Sequence, residues 1–336
     1  DYASKHSMVI SQRIPAGHTP QTLKKNTAAR IFTGAHIPEG ANCVVMQENV
    51  ILNADKTHIS FSETLISGQN IRPMGQDIKT GDCILSKGTV LTPQRLGLIA
   101  SIGVAEIKVY KVLKVAILST GDELIEPGKT VQEGQIYNSN RYLLSGFLKG
   151  LNFDILDLGV IRDDLDSTRS ALQKAASEAD VVITTGGASV GEEDYVQSAI
   201  TSLGQVDFWK VAIKPGKPFA LGHIGKTLFC GLPGNPVSAF VTAKLLVTPL
   251  IRKMQGEQQV RKPLTINATV TCDIKRRAGR RDFQRATITY DENFNLLVTP
   301  FRTQSSGVMT SITAANCLMI IHEDISHVEK GTTLPV

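Results

Sequence analysis

Glu192, Glu193 and Asp194 follow directly on a glycine-rich run, Thr184-Thr185-Gly186-Gly187-Ala188-Ser189-Val190-Gly191. Glycine loops expose backbone N–H groups that can meet phosphate oxygens. A carboxylate beside a phosphate is repulsive unless a cation bridges the two, and Mg²⁺ is the hard cation suited to oxygen donors of both kinds. Asp194 serves equally well as a charge at the start of the helix that runs on to about Leu203, where an acid suits the positive end of the helix dipole.

Two further stretches have the same grammar. Ser119-Thr120-Gly121-Asp122-Glu123-Leu124 places acids in a glycine turn, and Gly231-Leu232-Pro233-Gly234-Asn235-Pro236 places a second turn before a long apolar segment. Asn235 fits the N-cap and Pro236 the first helical position of a helix over 237–254. Trp209 to Lys214 reads as one strand ending at Pro215-Gly216-Lys217-Pro218. Alternate residues of a strand share a face, so Lys210 and Lys214 are expected on one side, with Lys217 in the turn beyond. Such lysines either cover a solvated face or bind an anion.

These loops need strands to hold them. Residues 113–257 alternate strand and helix, which predicts a central, doubly wound, mostly parallel α/β domain. Its strands are Lys114 to Leu118, Phe153 to Val160, Val181 to Thr185 and Thr227 to Cys230. Helices follow Asn138-Ser139-Asn140 and Asp163-Asp164. Loops leaving the carboxyl ends of parallel strands converge on one crevice.

Residues 1–74 read as a β-rich lobe with strands at Val44 to Met46, Val50 to Leu52 and His58 to Phe61. Arg30-Ile31-Phe32-Thr33-Gly34-Ala35 is a strand end with a turn. Residues 75–112 read as a connector, with a helix from Gln94 to Ser101 and a strand from Ile107 to Tyr110. Arg72 and Asp77 flank a Pro/Gly loop and read by default as a solvated pair. Residues 258–336 turn β-rich again, with strands at Ile266 to Thr271, Phe283 to Tyr290, Leu296 to Pro300 and Cys317 to Ile321. Asp291-Glu292-Asn293 is a hairpin turn. The arginines around 276–285 read mostly as solvated loop, with one or two facing an anion.

The 336 residues carry a net charge of +5, too mild for a dedicated nucleic-acid binder but compatible with an anionic small molecule. Five scattered cysteines without a CxxC pair give no zinc motif and suit a reducing, cytoplasmic setting. No apolar run is long enough for a membrane span. The chain opens in mid-phrase on Asp1, and an N-terminal segment, half of the connector, is expected to be missing.

Thr-Thr-Gly-Gly-Ala-Ser-Val-Gly-Glu-Glu-Asp-Tyr at 184–195 resembles the signature of the molybdopterin molybdenumtransferase family, which includes bacterial MoeA and the gephyrin E domain. Ser-Thr-Gly-Asp-Glu-Leu at 119–124, Ile-Lys-Pro-Gly-Lys-Pro at 213–218, Gly-Leu-Pro-Gly-Asn-Pro-Val-Ser at 231–238 and the motif beginning at Arg30 match in order across nearly the whole chain. The resemblance implies a four-part architecture ending in a small C-terminal β-barrel, and a homodimer. It implies an enzyme of molybdenum cofactor biosynthesis that inserts molybdate into adenylylated molybdopterin and releases AMP with Mg²⁺. Other proteins of that biosynthesis are possible partners; nucleic acid and membrane are not.

Carried over by position, the resemblance makes Glu123 and Asp194 the residues that hold Mg²⁺ or position the reacting groups, with Asp163 in the same pocket. Thr33, Arg72 and Asp77 would join from the first lobe. Gly186, Gly187, Ser189 and Gly191 would cradle phosphate, and Lys210, Lys214 and Lys217 would bind anionic charge. Pro233, Gly234, Asn235 and Pro236 would shape the pocket wall, and Arg285 and Ser306 would come from the last domain. The family's N-terminal Asp-Gly-Tyr-Ala is met here by Asp1-Tyr2-Ala3, so the functional acid is expected before residue 1. Adenylyl transfer by relatives of the α/β domain alone, and a non-catalytic scaffold, are the competing readings. The flanking β regions oppose the first and the retained acids the second.

Overall fold

The computed structural model describes residues 6–186, 195–260 and 262–336. The chain divides into two compact units, Asp1–Ile84 and Leu85–Val336. The first holds a four-stranded sheet built from β1 (His6–Ile14), β2 (Thr27–Ile31), β3 (Ile51–Leu52) and β4 (His58–Phe61), in the order β2-β1-β4-β3. Ile14 and Phe61 are buried within it. The strand expected at Val44 to Met46 does not form. Val44 instead bonds loop residues, its N–H donating to Gln69 O and its carbonyl accepting from Asn70 Nδ2, and this satisfies the backbone without a ladder.

The second unit opens with α1 (Pro93–Ser101), whose N-cap Thr92 accepts from Arg95 N–H. The strand expected at Ile107 to Tyr110 is absent: this stretch has no ladder partner among the described residues. Then come β5 (Lys114–Thr120), β6 (Leu124–Ile125), β7 (Ile136–Tyr137), α2 (Ser139–Gly150), β8 (Asp154–Ile161), α3 (Leu165–Glu178), β9 (Val181–Thr185) and α4 (Tyr195–Leu203). They are followed by β10 (Gln205–Lys210), β11 (Ile213–Lys214), β12 (Pro218–Ile224), β13 (Thr227–Leu232), α5 (Pro236–Thr242) and α6 (Thr248–Met254).

The order β10-β12-β13-β9-β5-β8 makes a six-stranded mixed sheet. Its β13, β9, β5 and β8 run parallel, while at one edge β12 pairs antiparallel with both β13 and β10. Strand alternation sorts the apolar residues onto two faces. Val115, Ile117, Val181, Ile183 and Cys230 pack with Leu144 and Leu148 of α2 and Ala239 and Ile251 of α5 and α6. Ala116, Leu118, Val182 and Phe229 pack with Leu172 of α3 and Val196 and Ile200 of α4. Burial on both faces explains why the strands read as continuous apolar runs.

The segment 237–254, expected as one helix, contains a π-helical turn at Ala243–Val247 between α5 and α6. The N–H of Thr248 and its hydroxyl both bond Ala243 O, five residues back, and Pro249 has no N–H to continue the α pattern.

The last part contains β14 (Asn267–Val270), β15 (Ile274–Lys275), β16 (Arg281–Tyr290), β17 (Leu296–Pro300), α7 (Thr310–Ala314), β18 (Cys317–Ile321), β19 (His327–Val328) and β20 (Thr333–Pro335). The sheet β11-β16-β17-β14-β20, with β18 also on β16, encloses a separate core around Ala268, Ala286, Val298 and Met319. Asp291 caps the β16–β17 turn by accepting from the N–H groups of Asn293 and Asn295. The whole is a multi-sheet mixed α/β protein.

Candidate active site

The parallel strands β13, β9, β5 and β8 end together, since Leu232 pairs with Thr185, Thr185 with Ser119, and Thr120 with Ile161. Four turns leave this edge, beginning at Pro233 to Asn235, at Gly186, at Gly121 to Glu123, and at Arg162 to Asp164. Adjacent strands lie ~4.8 Å apart, so the four strand ends span roughly 14 Å. Ligands of open α/β sheets sit at such an edge.

The loops touch. A Cβ on Gly186 would run into the carbonyl oxygen of Thr120, and a Cβ on Gly234 would lie 3.8 Å from Gly186 Cα. Gly186 sits at φ +87°, where a side chain is strained. Ser119 Oγ lies 3.0 Å from Thr185 Oγ1 and donates to Asn138 Oδ1, which knits β5, β9 and the start of α2. Asn140 Nδ2 donates to Gly234 O at 2.7 Å, fixing the Pro233–Asn235 turn to the same helix. Two buried oxygens at this edge, Thr120 Oγ1 and Asn140 Oδ1, have no hydrogen-bond partner among the described residues. Such atoms cost about 1–3 kcal/mol unless something binds them.

Glu123 is exposed at the mouth of the crevice. Its backbone is fixed by Ile136 N–H donating to Glu123 O and Leu124 N–H donating to Gly121 O. The turn is anchored further by Glu126, which meets Arg141 at 2.8 Å, while Arg141 also meets Asp157 at 2.8 Å. Hydrogen bonding to Asp157 raises the Arg141 guanidinium above its ordinary value. Asp163, half-buried, donates its N–H to Asp122 Oδ1 and so brings the β8 loop against the β5 loop. Asp164 then caps α3 by accepting from Ser167 N–H, which holds its carboxyl below the usual range.

Pro233 is buried, Pro236 half-buried, and Gly234 and Asn235 are exposed. Asn235 occupies the N-cap position without a side-chain cap bond; the free N–H of Val237 instead donates to Ser306 O at 3.1 Å. Ser306 thus reaches the crevice edge from the C-terminal part. Arg285, expected on an anion, is placed differently. Its side chain is buried, with Nε donating to Ser311 Oγ and Nη2 to Ser305 O. Burial pulls its ionisation down, opposed by nearby Asp282. It therefore meets the crevice through the Ser305–Ser306 loop that it holds.

The lysines need a correction. Lys210 ends β10 in the central sheet, whereas Lys214 lies in β11, paired with β16 of the C-terminal sheet. They do not share the face of one strand, because the chain changes sheets at Val211 and Ala212. Ala212 O accepts from Arg281 N–H and Val211 N–H donates to Lys217 O. Lys210 and Lys217 are exposed, and Lys214 is half-buried with Nζ 3.5 Å from Asp282.

Gly187, Ser189, Gly191 and Asp194 lie outside the described residues, as does Asp1. Thr33, Arg72 and Asp77 are exposed on the first unit, with Thr33 in the turn closed by Ala35 N–H to Phe32 O. Cys230, beneath the crevice, has its thiol pushed up to about 12 by burial and is no thiolate nucleophile. Asn140, Arg141 and Asp282 were not among the expected site residues. Asn138-Ser139-Asn140 carried a helix-start signal, but nothing marked Asn140 as the link to Gly234.

Fold and site define a multi-sheet α/β protein whose strand-end loops carry carboxylates beside glycine turns. The chain matches a probable molybdopterin binding domain over residues 116–253, the MoeA N-terminal region (domain I and II) over 2–103 and the MoeA C-terminal region (domain IV) over 267–336. It is 47% identical over 310 residues to a molybdopterin molybdenumtransferase of Haemophilus influenzae, covering 92% of this chain and 76% of the relative. It is 34% identical over 334 residues to molybdopterin molybdenumtransferase 2 of Mycobacterium tuberculosis, covering 97% and 81%. The crystal structure of the molybdopterin biosynthesis MoeA protein of Pyrococcus horikoshii superimposes with TM-score 0.78 at 30% identity, over 98% of this chain and 80% of that one. The chain belongs to the molybdopterin molybdenumtransferase family.

Proposed function

We propose that this crevice inserts molybdate into the dithiolene of adenylylated molybdopterin, with release of AMP and assistance from Mg²⁺. The protein is a transferase of molybdenum cofactor biosynthesis. The observation that carries the site assignment is the meeting of four strand-end loops around Glu123, Asp163, Gly186 and Gly234, with Thr120 Oγ1 and Asn140 Oδ1 left unpaired there.

The division of labour follows from chemistry. Gly186, with Gly187, Ser189 and Gly191, offers backbone N–H groups to phosphate oxygens. Lys210, Lys214 and Lys217 hold the anionic charge of the nucleotide and of molybdate. Pro233, Gly234, Asn235, Pro236 and the Arg285-supported Ser306 loop form the wall.

The donor set suits Mg²⁺. Glu123, Asp122 and Asp163 are oxygen donors only, as a hard cation requires. Among the described residues no three His, Cys, Asp or Glu side chains form a ready-made metal group. Mg²⁺ is bound elsewhere through one or two carboxylates together with substrate phosphates. Glu123 and Asp194 would hold it, and it would supply charge neutralisation at the phosphoanhydride.

The finer fold belongs to the same proposal: a doubly wound central domain over 113–257, a β-rich lobe over 1–74, a connector over 75–112 and a C-terminal β-barrel over 258–336. Helices on both faces of the central sheet and the separate core of the last sheet support it. The homodimer, the cytoplasmic setting and the roles of Thr33, Arg72 and Asp77 are also part of the proposal and rest on the sequence. No helix among the described residues is long and apolar enough to cross a membrane. The test is to follow AMP release from adenylylated molybdopterin with molybdate and Mg²⁺. Release that requires molybdate supports the reading; AMP formation only when ATP and free molybdopterin are supplied would replace it with adenylyl transfer.

A further inference from the structure

Asp282 is fully buried at the start of β16. A buried carboxylate is costly unless paired, and what surrounds it indicates its task. Its Oδ2 faces three donors: Gln284 Nε2 at 3.1 Å, Arg276 Nε at 3.5 Å and Lys214 Nζ at 3.5 Å. Its Oδ1 has no partner among the described residues. Arg276 is itself fixed, since its guanidinium donates to the carbonyl oxygens of His322, Ile325 and Arg280. Arg285 adds a further buried cation that interacts electrostatically with Asp282.

The two arginines are committed to protein carbonyls or hydroxyls, so neither can follow a ligand. Lys214 differs. Its side chain is 38% exposed, against 2% for Arg276 and 1% for Asp282. An ammonium has three donors, so one directed at Asp282 leaves others for a ligand. The pairing of β11 with β16 places Lys214 opposite Asp282 in register, next to a fixed positive charge that would repel the lysine if the carboxylate were absent.

We propose that Asp282 is a positioning residue for the anionic substrate: its buried carboxylate holds the Lys214 ammonium at the crevice against the repulsion of Arg276. This rests on the reading of Lys214 as a substrate-binding lysine. Gln284 takes a supporting part, because its amide bonds the same carboxylate oxygen that faces Lys214.

The test is a double-mutant cycle on the full protein, with adenylylated molybdopterin as the varied substrate and AMP release as the signal. Lys214→Ala is expected to raise KM by about a hundredfold with a smaller change in kcat, the signature of a lost ground-state contact. Asp282→Asn is expected to raise KM about tenfold, and to add nothing further in the Lys214→Ala background. Gln284→Leu removes the orienting amide without changing charge. It is expected to give a smaller rise that also vanishes in that background, and it carries the test if Asp282→Asn does not fold. Equal KM effects of Asp282→Asn, or of Gln284→Leu in its place, with and without Lys214 would show a merely structural role and overturn the proposal. An unchanged KM would overturn it too. If Lys214→Ala itself leaves KM unchanged, the substrate-binding reading of Lys214 fails and the positioning proposal falls with it.

Discussion

The carbonyl oxygen of Thr120 occupies the space that a side chain on Gly186 would need, so the ends of β5 and β9 are pressed together at the floor of the crevice. Gly186→Ala therefore meets rigid backbone at a φ of +87°. The expected outcome is a loss of about 1–3 kcal/mol of stability. Activity should fall by more than the stability change explains, because Gly186 lies at the crevice itself. Thermal unfolding and AMP release, measured on the same preparation, check both.

Arg141 ties the turn bearing Glu123 to the central sheet through Glu126 and Asp157. Arg141→Met keeps the aliphatic stem and removes both ion pairs. Each partner is partly exposed, so solvent screens the pairs and the stability cost should be modest, about 1 kcal/mol. The larger effect should be on kcat, since the turn bearing Glu123 would lose one of its anchors. A variant with wild-type kcat would mean that the turn is fixed by the β6–β7 pairing alone.

Asp164 caps α3 immediately after Asp163, and its carboxyl is held below the ordinary value by the N–H of Ser167. A depressed folded-state value means that this contribution is complete above the unfolded carboxylate range, near ~3.9, and is lost as pH falls through the lower folded value. Asp164→Ala should therefore lower Tm at pH 6, and the gap between variant and wild type should narrow as the solution is acidified. Asp164→Ser, which keeps a capping oxygen, should recover part of the loss and lack that pH dependence. A gap that stays constant with pH would show that the charge plays no part.

How much of this was legible in the sequence depended on whether the deciding contact was local. The strands were readable, because β-branched and apolar runs broken by glycine mark buried strands and their exits; Thr185 was read as an end, while the ends expected at Leu118 and Cys230 lie at Thr120 and Leu232. Pro236 correctly announced the start of α5. The partner of the Val237 N–H was not readable, because the Ser306 carbonyl arrives from 69 positions along the chain rather than from the Asn235 side chain. Lys210 and Lys214 were misjudged for the same kind of reason. Period-two spacing holds only within one strand, and the bond from Arg281 N–H to Ala212 O draws the chain into a second sheet between them. Arg285 lay in a basic stretch whose default is solvent, and full burial of arginine is rare enough that only the fold reveals it.

The most direct test of the central claim is AMP release from adenylylated molybdopterin, molybdate and Mg²⁺ by wild type, Glu123→Gln and Asp194→Asn. The amides keep shape and much of the hydrogen bonding but remove the charge that would hold the cation, so losing it should cost several kcal/mol of transition-state stabilisation. The expected result is release by the wild type that a chelator stops and added Mg²⁺ restores, with release abolished in both variants while Tm and circular dichroism stay near wild type. Wild-type release by both variants, with only a slightly lowered Tm, would show that these acids cap and charge the protein and do not take part in the reaction.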